Sequence, residues 1–209
     1  MKKYLEDHWQ NVYNKKNENE VSWYQKSPKL SLEFVKSLNL RLDAEIIDIG
    51  AGESRLVDNL LEMGFVNLSV LDISSKSIEK TKKRLGLKSK LVNWIVSDIN
   101  NFIPKKKYDL WHDRAAFHFL KDSVEIDNYV KLVKSSLHNQ GNLIIATFSE
   151  NGPLKCSGLE VSRYSKDSIL KVFGNYFSLI KSEKSTHDTP FNTSQEFLFS
   201  IFKKKIILI

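Results

Sequence analysis

The chain has 209 residues, of which 41% are hydrophobic and 27% charged, and its formal net charge is +7. That size and balance suit one globular domain with a substantial core and exclude a low-complexity chain; no apolar run approaches the roughly 20 residues needed to span a bilayer. The N-terminus turns charged before any apolar signal core develops and Cys156 is the lone cysteine, so neither a secretory signal nor an intramolecular disulfide is expected, which points to the cytoplasm.

A basic chain invites a nucleic-acid reading, but the lysines of 76–90 alternate with polar and apolar residues as on a solvated helix face, and Lys105-Lys106-Lys107 fall in a loop. Residues 1–28 are polar yet carry Tyr4, Trp9, Tyr13, Trp23 and Tyr24 at intervals. Large aromatics are costly to leave in water, so this segment is expected to lie as a cover on the domain formed by residues 29–209. Pro28 suits a helix start, and Leu30, Phe34 and Leu38 recur with the period of one buried helix face. From Glu45 a strand-helix alternation sets in. Strands are expected at 45–49, 67–72, 91–96, 108–112 and 141–148, with helices at 54–63, 75–85 and 125–137. Such alternation implies a parallel sheet covered on both faces. The 99–107 connection, with Pro104 and three lysines, has no helical period. After turn residues at 149–153, a short helix fits 165–173 and two strands fit 176–184 and 197–203, close enough in sequence for an antiparallel pair. The apolar tail 206–209 is too short to be an anchor.

Two glycines follow the first strand at once, in Asp48-Ile49-Gly50-Ala51-Gly52. They permit a sharp turn and let a ligand approach backbone N–H groups, and Ser54 is placed to cap the next helix. A dinucleotide fingerprint would need a third glycine at Arg55, and the G-K-[ST] of a phosphate loop is missing, which disfavours a pyrophosphate ligand. Ligands of open parallel sheets bind at the carboxyl ends of the strands. Asp72 ends the second strand 22 residues after Gly50 (72 − 50) and suits a ribose diol, the competing reading being a cap for the helix from Ser75. Asp98 stands just past the third strand, with a turn or cap role as the alternative to ligand binding. The fourth strand runs into Tyr108-Asp109-Leu110-Trp111-His112-Asp113-Arg114-Ala115-Ala116-Phe117-His118. His112 and His118 have no companion ligands at metal-binding spacing, so no metal site is expected. His118 is a candidate general base, with an ordinary packed histidine as the alternative. There is no G-x-S-x-G and no His near Cys156, so nucleophilic catalysis has no signature, and the 152–159 segment is a candidate substrate loop.

In order and spacing these features resemble class I S-adenosylmethionine-dependent methyltransferases: E-I-I-D-I-G-A-G at the first strand, Asp72 and Asp98 at the next two strand ends, and the G-N-L-I-I-A strand. The opening H-W-x-x-x-Y and the later S-W-Y-Q are similar to the N-terminal cover of small-molecule and thiopurine-type members. The resemblance implies an α/β, Rossmann-like, doubly wound, mostly parallel seven-stranded sheet with helices on both faces and the last strand antiparallel. It implies S-adenosylmethionine as cofactor and S-adenosylhomocysteine as product. The cofactor would be held by Asp48, Gly50, Ala51 and Gly52, by Asp72 with Ile73 against the adenine, and by Asp98 and Ile99 at the adenine amino group. Trp9, Tyr13 and Trp23 would close over it as a cover that orders when it binds.

The same resemblance places the end of the fourth strand against the methyl and the acceptor, with Asp113, Arg114 and His118 as candidate catalytic residues. Asp113 would stabilise the sulfonium or an acceptor ammonium, and Arg114 would hold a substrate carboxylate; a buried Asp–Arg pair fixing the loop is the alternative. Asp113-Arg114 matches the first half of a D-[KR]-G-T version found in some protein-lysine methyltransferases, whereas Ala115-Ala116 departs from the second half. The expected acceptor is therefore a small-molecule amine or thiol, with protein lysine second. A nucleic-acid methyltransferase, for which N-P-P-Y is missing, or a non-enzymatic nucleotide binder comes third.

Overall fold

The computed structural model describes residues 2–206; the tail from Ile207 onward lies outside them. Helix α1 (Lys2–Lys15) opens the cover and α2 (Lys29–Ser37) follows it. Then come β1 (Glu45–Ile49), α3 (Leu56–Glu62), β2 (Asn67–Asp72), α4 (Ser75–Leu85), β3 (Val92–Val96) and β4 (Tyr108–Arg114). The 99–107 connection holds only a 3-10 turn at Ile99–Asn101. The chain continues with α5 (Ser123–Ser136) and β5 (Leu137–Phe148), a small hairpin of β6 (Lys155–Cys156) and β7 (Leu159–Glu160), α6 (Lys166–Phe173), β8 (Phe177–Asp188) and β9 (Ser194–Lys204).

Seven strands form one sheet in the order β3-β2-β1-β4-β5-β9-β8. The first five are parallel; β9 is antiparallel to both β5 and β8, so β8 again runs with the parallel set. The order reverses direction between β1 and β4, and a crevice opens there at the carboxyl ends, as in other open α/β sheets.

Strand alternation sorts side chains to two cores. Ile46, Leu68, Val70, Leu110, Ile144, Phe197 and Phe199 meet Phe34 and Val35 of α2 and Leu56, Val57 and Leu60 of α3. Ile47, Ile49, Leu71, Trp111, Leu143, Ile145 and Phe202 meet Tyr129, Val130 and Val133 of α5 and Ile169 and Phe173 of α6. Both faces of the sheet are thus covered, as the uninterrupted apolar runs of β1, β2 and β5 require. Among the described residues no helix is long and apolar enough to cross a membrane.

Two differences from the sequence reading matter for the site. The cover contains a helix of 14 residues that packs on α4. Strand β4 does not stop at His112: β1 and β5 pair with it from both sides, Ile49 beside Asp113 and Ala146 beside Arg114, so both residues lie inside the strand. Consecutive strand residues point to opposite faces.

Candidate functional site

A cavity of about 180 Å³ lies at the carboxyl ends of β1, β2 and β4, beneath the cover. Its floor is the turn after β1. Gly50 and Gly52 have φ of +58° and +56°, a left-handed conformation that side-chain-bearing residues adopt only at a cost. A methyl added at Gly50 would overlap the Cβ of Ala116, and one at Gly52 would overlap the hydroxyl of Tyr13. Ala51 N–H donates to the carbonyl of Leu71 at 3.2 Å, and Ser54 Oγ accepts from Leu56 N–H at 3.1 Å, starting α3. No Cβ fits between this turn and the groups packed on it.

Three carboxylates stand around the turn. Asp48 Oδ1 lies 2.7 Å from His112 Nδ1, whose Nε2 is 3.0 Å from Ser31 Oγ, while Asp48 Oδ2 is buried without a partner. Asp72 accepts from Gly52 N–H at 2.7 Å and Ser74 N–H at 2.8 Å, and burial pushes its pKa up to about 6 against the pull of those two bonds. The helix-cap alternative is partly met, since Ser74 is the N-cap of α4 and Asp72 fixes Ser74. Asp98 accepts from Asn100 N–H at 2.9 Å through Oδ1 and leaves Oδ2 buried and unpartnered. Ile73 and Ile99 also line the cavity. A buried, unpaired carboxylate oxygen is an acceptor awaiting an N–H or O–H donor.

The roof is aromatic. Trp9 packs edge-on against Trp23 at 5.7 Å and Phe119 at 5.3 Å, with Tyr13 at 6.2 Å. Burial, followed by the Asp72 and Glu53 charges, raises the Tyr13 pKa well above that of an ordinary phenol, so its hydroxyl stays neutral. Polar pins hold the roof down. Gln10 Oε1 accepts from Ser74 Oγ at 2.8 Å and Lys76 N–H at 3.1 Å, Gln10 Nε2 donates to Ser75 Oγ at 2.8 Å, and Arg55 pairs with Glu18 at 2.5 Å. Gln10 and Phe119 carried no recognisable motif in the sequence, and His112 drew notice only as a possible metal ligand.

The end of β4 departs most from expectation. Asp113 does not line the cavity and does not pair with Arg114. It shares the α5 face with Trp111, where Oδ1 accepts from Ala116 N–H at 3.0 Å and Phe117 N–H at 3.1 Å, and Oδ2 accepts from Tyr129 Oη–H at 2.6 Å and Phe117 N–H at 3.1 Å. Burial raises its pKa to about 6. Neither the placement beside the methyl nor the alternative Asp–Arg pair is therefore found, and parity within β4 is the reason. The signal was available in the sequence, because Trp111 and Asp113 alternate with His112 and Arg114. His118 is also outside the cavity wall. Its ring is fully buried between Phe119 and Phe148, Nδ1 accepts from Phe148 N–H at 3.3 Å, and burial lowers its pKa to about 3, so it is neutral.

Arg114, on the opposite face, does line the cavity. Nη1 donates to the Trp23 carbonyl at 3.3 Å, the guanidinium carbon sits 4.9 Å from the centre of the Phe197 ring, and Nε and Nη2 are buried with no partner. From the 152–159 segment, Cys156 of β6 joins the wall, its thiol pKa pushed up to about 12 by burial.

A family model described as a methyltransferase domain matches residues 41–192. Malonyl-[acyl-carrier protein] O-methyltransferase 2 of Ilyobacter polytropus is 30% identical over 144 residues, covering 68% of this chain and 53% of that protein. EEF1A lysine methyltransferase 2 of Danio rerio is 25% identical over 171 residues, covering 78% and 66%. This chain thus spans less than two thirds of either protein's length. The structure of N-methyltransferase NodS from Bradyrhizobium japonicum WM9 with S-adenosylhomocysteine superimposes with a TM-score of 0.68 at 13% identity, covering 96% of this chain and all of that one, and so shares the fold. Strand order, central glycine turn and family match agree: the chain belongs to the class I S-adenosylmethionine-dependent methyltransferase family.

Proposed function

We propose that this protein transfers the methyl group of S-adenosylmethionine to a small molecule held beneath the cover. The observation that carries the proposal is the roof. Trp9, Tyr13, Trp23 and Phe119 close one side of the cavity and are pinned by Gln10 and Glu18, which suits an enclosed small acceptor. The relatives' names specify O-methylation of malonyl-[acyl-carrier protein] and methylation of EEF1A lysine, so the acceptor has to be read from this chain's own cavity.

The polar atoms of the wall support a cofactor-binding role. The buried, unpartnered Oδ2 of Asp98 supports its role as acceptor for the adenine amino N–H, with Ile73 and Ile99 in the same wall, and that of Asp48 supports a bond from the ammonium of the amino-acid end. Asp72 keeps a free lone pair on each oxygen for the ribose hydroxyls. S-adenosylmethionine supplies an activated methyl on a sulfonium. The protein's part is to position the acceptor and exclude water, which Trp9, Tyr13 and Trp23 do from above. His112 holds Asp48 by one oxygen and leaves the other for the ligand. Asp113 acts at a distance, holding the Ala115–Phe117 turn against Gly50.

Because Asp113 faces away and the His118 ring lies outside the wall with its basicity lowered by burial to a pKa of about 3, neither takes a proton from the acceptor. This favours an acceptor atom that is nucleophilic as it arrives, a thiolate or an unprotonated amine. The lysine reading rested on the match of Asp113-Arg114 to half of a D-[KR]-G-T motif, and with Asp113 facing α5 that match brings no carboxylate to an acceptor ammonium. The lone, buried Cys156 suits a reducing, cytoplasmic setting.

The test is to incubate the purified protein with methyl-labelled S-adenosylmethionine and separate metabolite, protein and RNA pools from a cell extract. Label is expected in the metabolite pool. Label confined to protein or RNA would overturn the small-molecule reading.

A further inference from the structure

Arg114 is the anomaly of the cavity wall. Several charged groups there are paired: Asp48 has His112, Asp72 has two backbone N–H groups, Glu53 has Lys80 at 3.0 Å and Arg55 has Glu18. Among the described residues no carboxylate lies within ion-pair distance of Arg114, and its single hydrogen bond is the one to the Trp23 carbonyl. An isolated charge out of water is expensive and is retained where something pairs with it in use. Burial brings its pKa down to about 10, which still leaves it a cation at neutral pH.

The geometry of the free atoms is informative. Nε–H and Nη2–H lie on the same edge of a guanidinium and donate in parallel, the fork that matches the two oxygens of a carboxylate. These are the two nitrogens without partners, while Nη1 is tied to the cover and the Phe197 ring holds the guanidinium plane. The side chain is held at two points and its bidentate edge is buried and unpaired.

Position assigns that edge to the acceptor's side of the cavity. The adenosine-binding candidates Asp72 and Asp98 end β2 and follow β3, on the β1 side of β4. Arg114 leans the other way, past β5 to Phe197 on β9, with Trp23 above it and Cys156 in the same wall.

We propose that the Nε–Nη2 edge of Arg114 binds a carboxylate of the methyl acceptor. The proposal rests on the small-molecule reading above and narrows it to acids. The carboxylate is an anchor and not the methylated atom, because a bidentate guanidinium withdraws the electron density that nucleophilic attack needs. The acceptor therefore carries a second nucleophilic group, a thiol or an amine, directed toward the Gly50 turn. A carboxylate could also come from the amino-acid end of the cofactor, and the experiment separates the two sources.

The probe is benzoate, whose ring suits the Trp9, Trp23 and Phe119 surfaces, with benzamide as its uncharged control. Each is titrated calorimetrically into the full-length protein saturated with S-adenosylhomocysteine. Wild type is expected to bind benzoate at least about tenfold more tightly than benzamide, a preference of the size a charge-assisted bidentate pair gives. Arg114→Met should erase that preference while changing the S-adenosylhomocysteine Kd by no more than about twofold, and Arg114→Lys, which keeps charge but loses the fork, should fall between. Equal binding of the two probes by wild type overturns the proposal, and this comparison stands if a variant fails to fold. A loss of about tenfold or more in S-adenosylhomocysteine affinity in Arg114→Met also overturns it, assigning the edge to the cofactor's own carboxylate. Failure of wild type to bind S-adenosylhomocysteine would sink the methyltransferase reading itself, a different result from normal cofactor binding without benzoate preference.

Discussion

Asp72 and Asp113 are alike by local measures. Each is at or next to the end of a parallel strand, each is at most 4% exposed, each accepts backbone N–H bonds, and burial lifts the pKa of each to about 6. Asp72 shares a face with Leu68 and Val70 and opens on the cavity; Asp113 shares a face with Trp111 and is closed over by Tyr129. The difference is one of strand parity. A carboxylate at a strand end touches a ligand only when its residue points to the face on which the crevice lies.

The contrast is most exposed by truncation of Asp113. Asp113→Ala would leave Ala116 N–H, Phe117 N–H and Tyr129 Oη–H buried without their acceptor, and we expect a loss of about 3–5 kcal/mol in urea unfolding. A loss under about 1 kcal/mol would break the comparison. Asp72→Ala should do the reverse. It strips the acceptor from two buried backbone N–H groups where Asp113→Ala strips it from three donors, so we expect a smaller destabilisation of about 1–3 kcal/mol, but a weakening of S-adenosylhomocysteine binding by about 10- to 100-fold, read by calorimetry. An unfolded Asp72→Ala protein would make both carboxylates structural.

The pH dependence sharpens the same point. A carboxylate raised from 3.8 to about 6 on folding binds its proton more tightly in the native state, so its contribution to stability is full below pH 3.8 and is lost as pH rises through 6. The stability of wild type relative to Asp113→Asn should therefore decline from pH 4 to 6.5 and level off above 7, followed by urea unfolding across that range. A difference that does not change with pH would show that hydrogen bonding offsets burial at this site. The smallest effect is expected at His118. His118→Gln keeps an acceptor for Phe148 N–H and lies outside the cavity wall, so turnover per folded molecule should stay within about twofold, equivalent to under 0.5 kcal/mol. A drop of about a hundredfold would restore it as a base.

The sequence by itself determined what depends on neighbours along the chain. Hydrophobic period placed α4 at Ser75–Leu85 and β1 at Glu45–Ile49, the two glycines marked the turn after β1, and the absence of a period correctly left 99–107 without an α-helix. The cavity-lining positions of Asp72 and Asp98 followed from strand ends, and those of Asp48, Ile73 and Ile99 from the family resemblance. The acceptor half depended on contacts between distant segments. Asp and Arg are poor strand formers, so local pattern ended β4 at His112, whereas pairing to β1 and β5 carries it to Arg114 and thereby sends Asp113 to α5 and Arg114 to the cavity. Gln10 meets Ser74–Lys76 across more than sixty residues, and Arg114 meets Trp23 across 91. Such contacts leave no periodicity in the chain. They exist only after the sheet has chosen its order and the cover has come down on its edge.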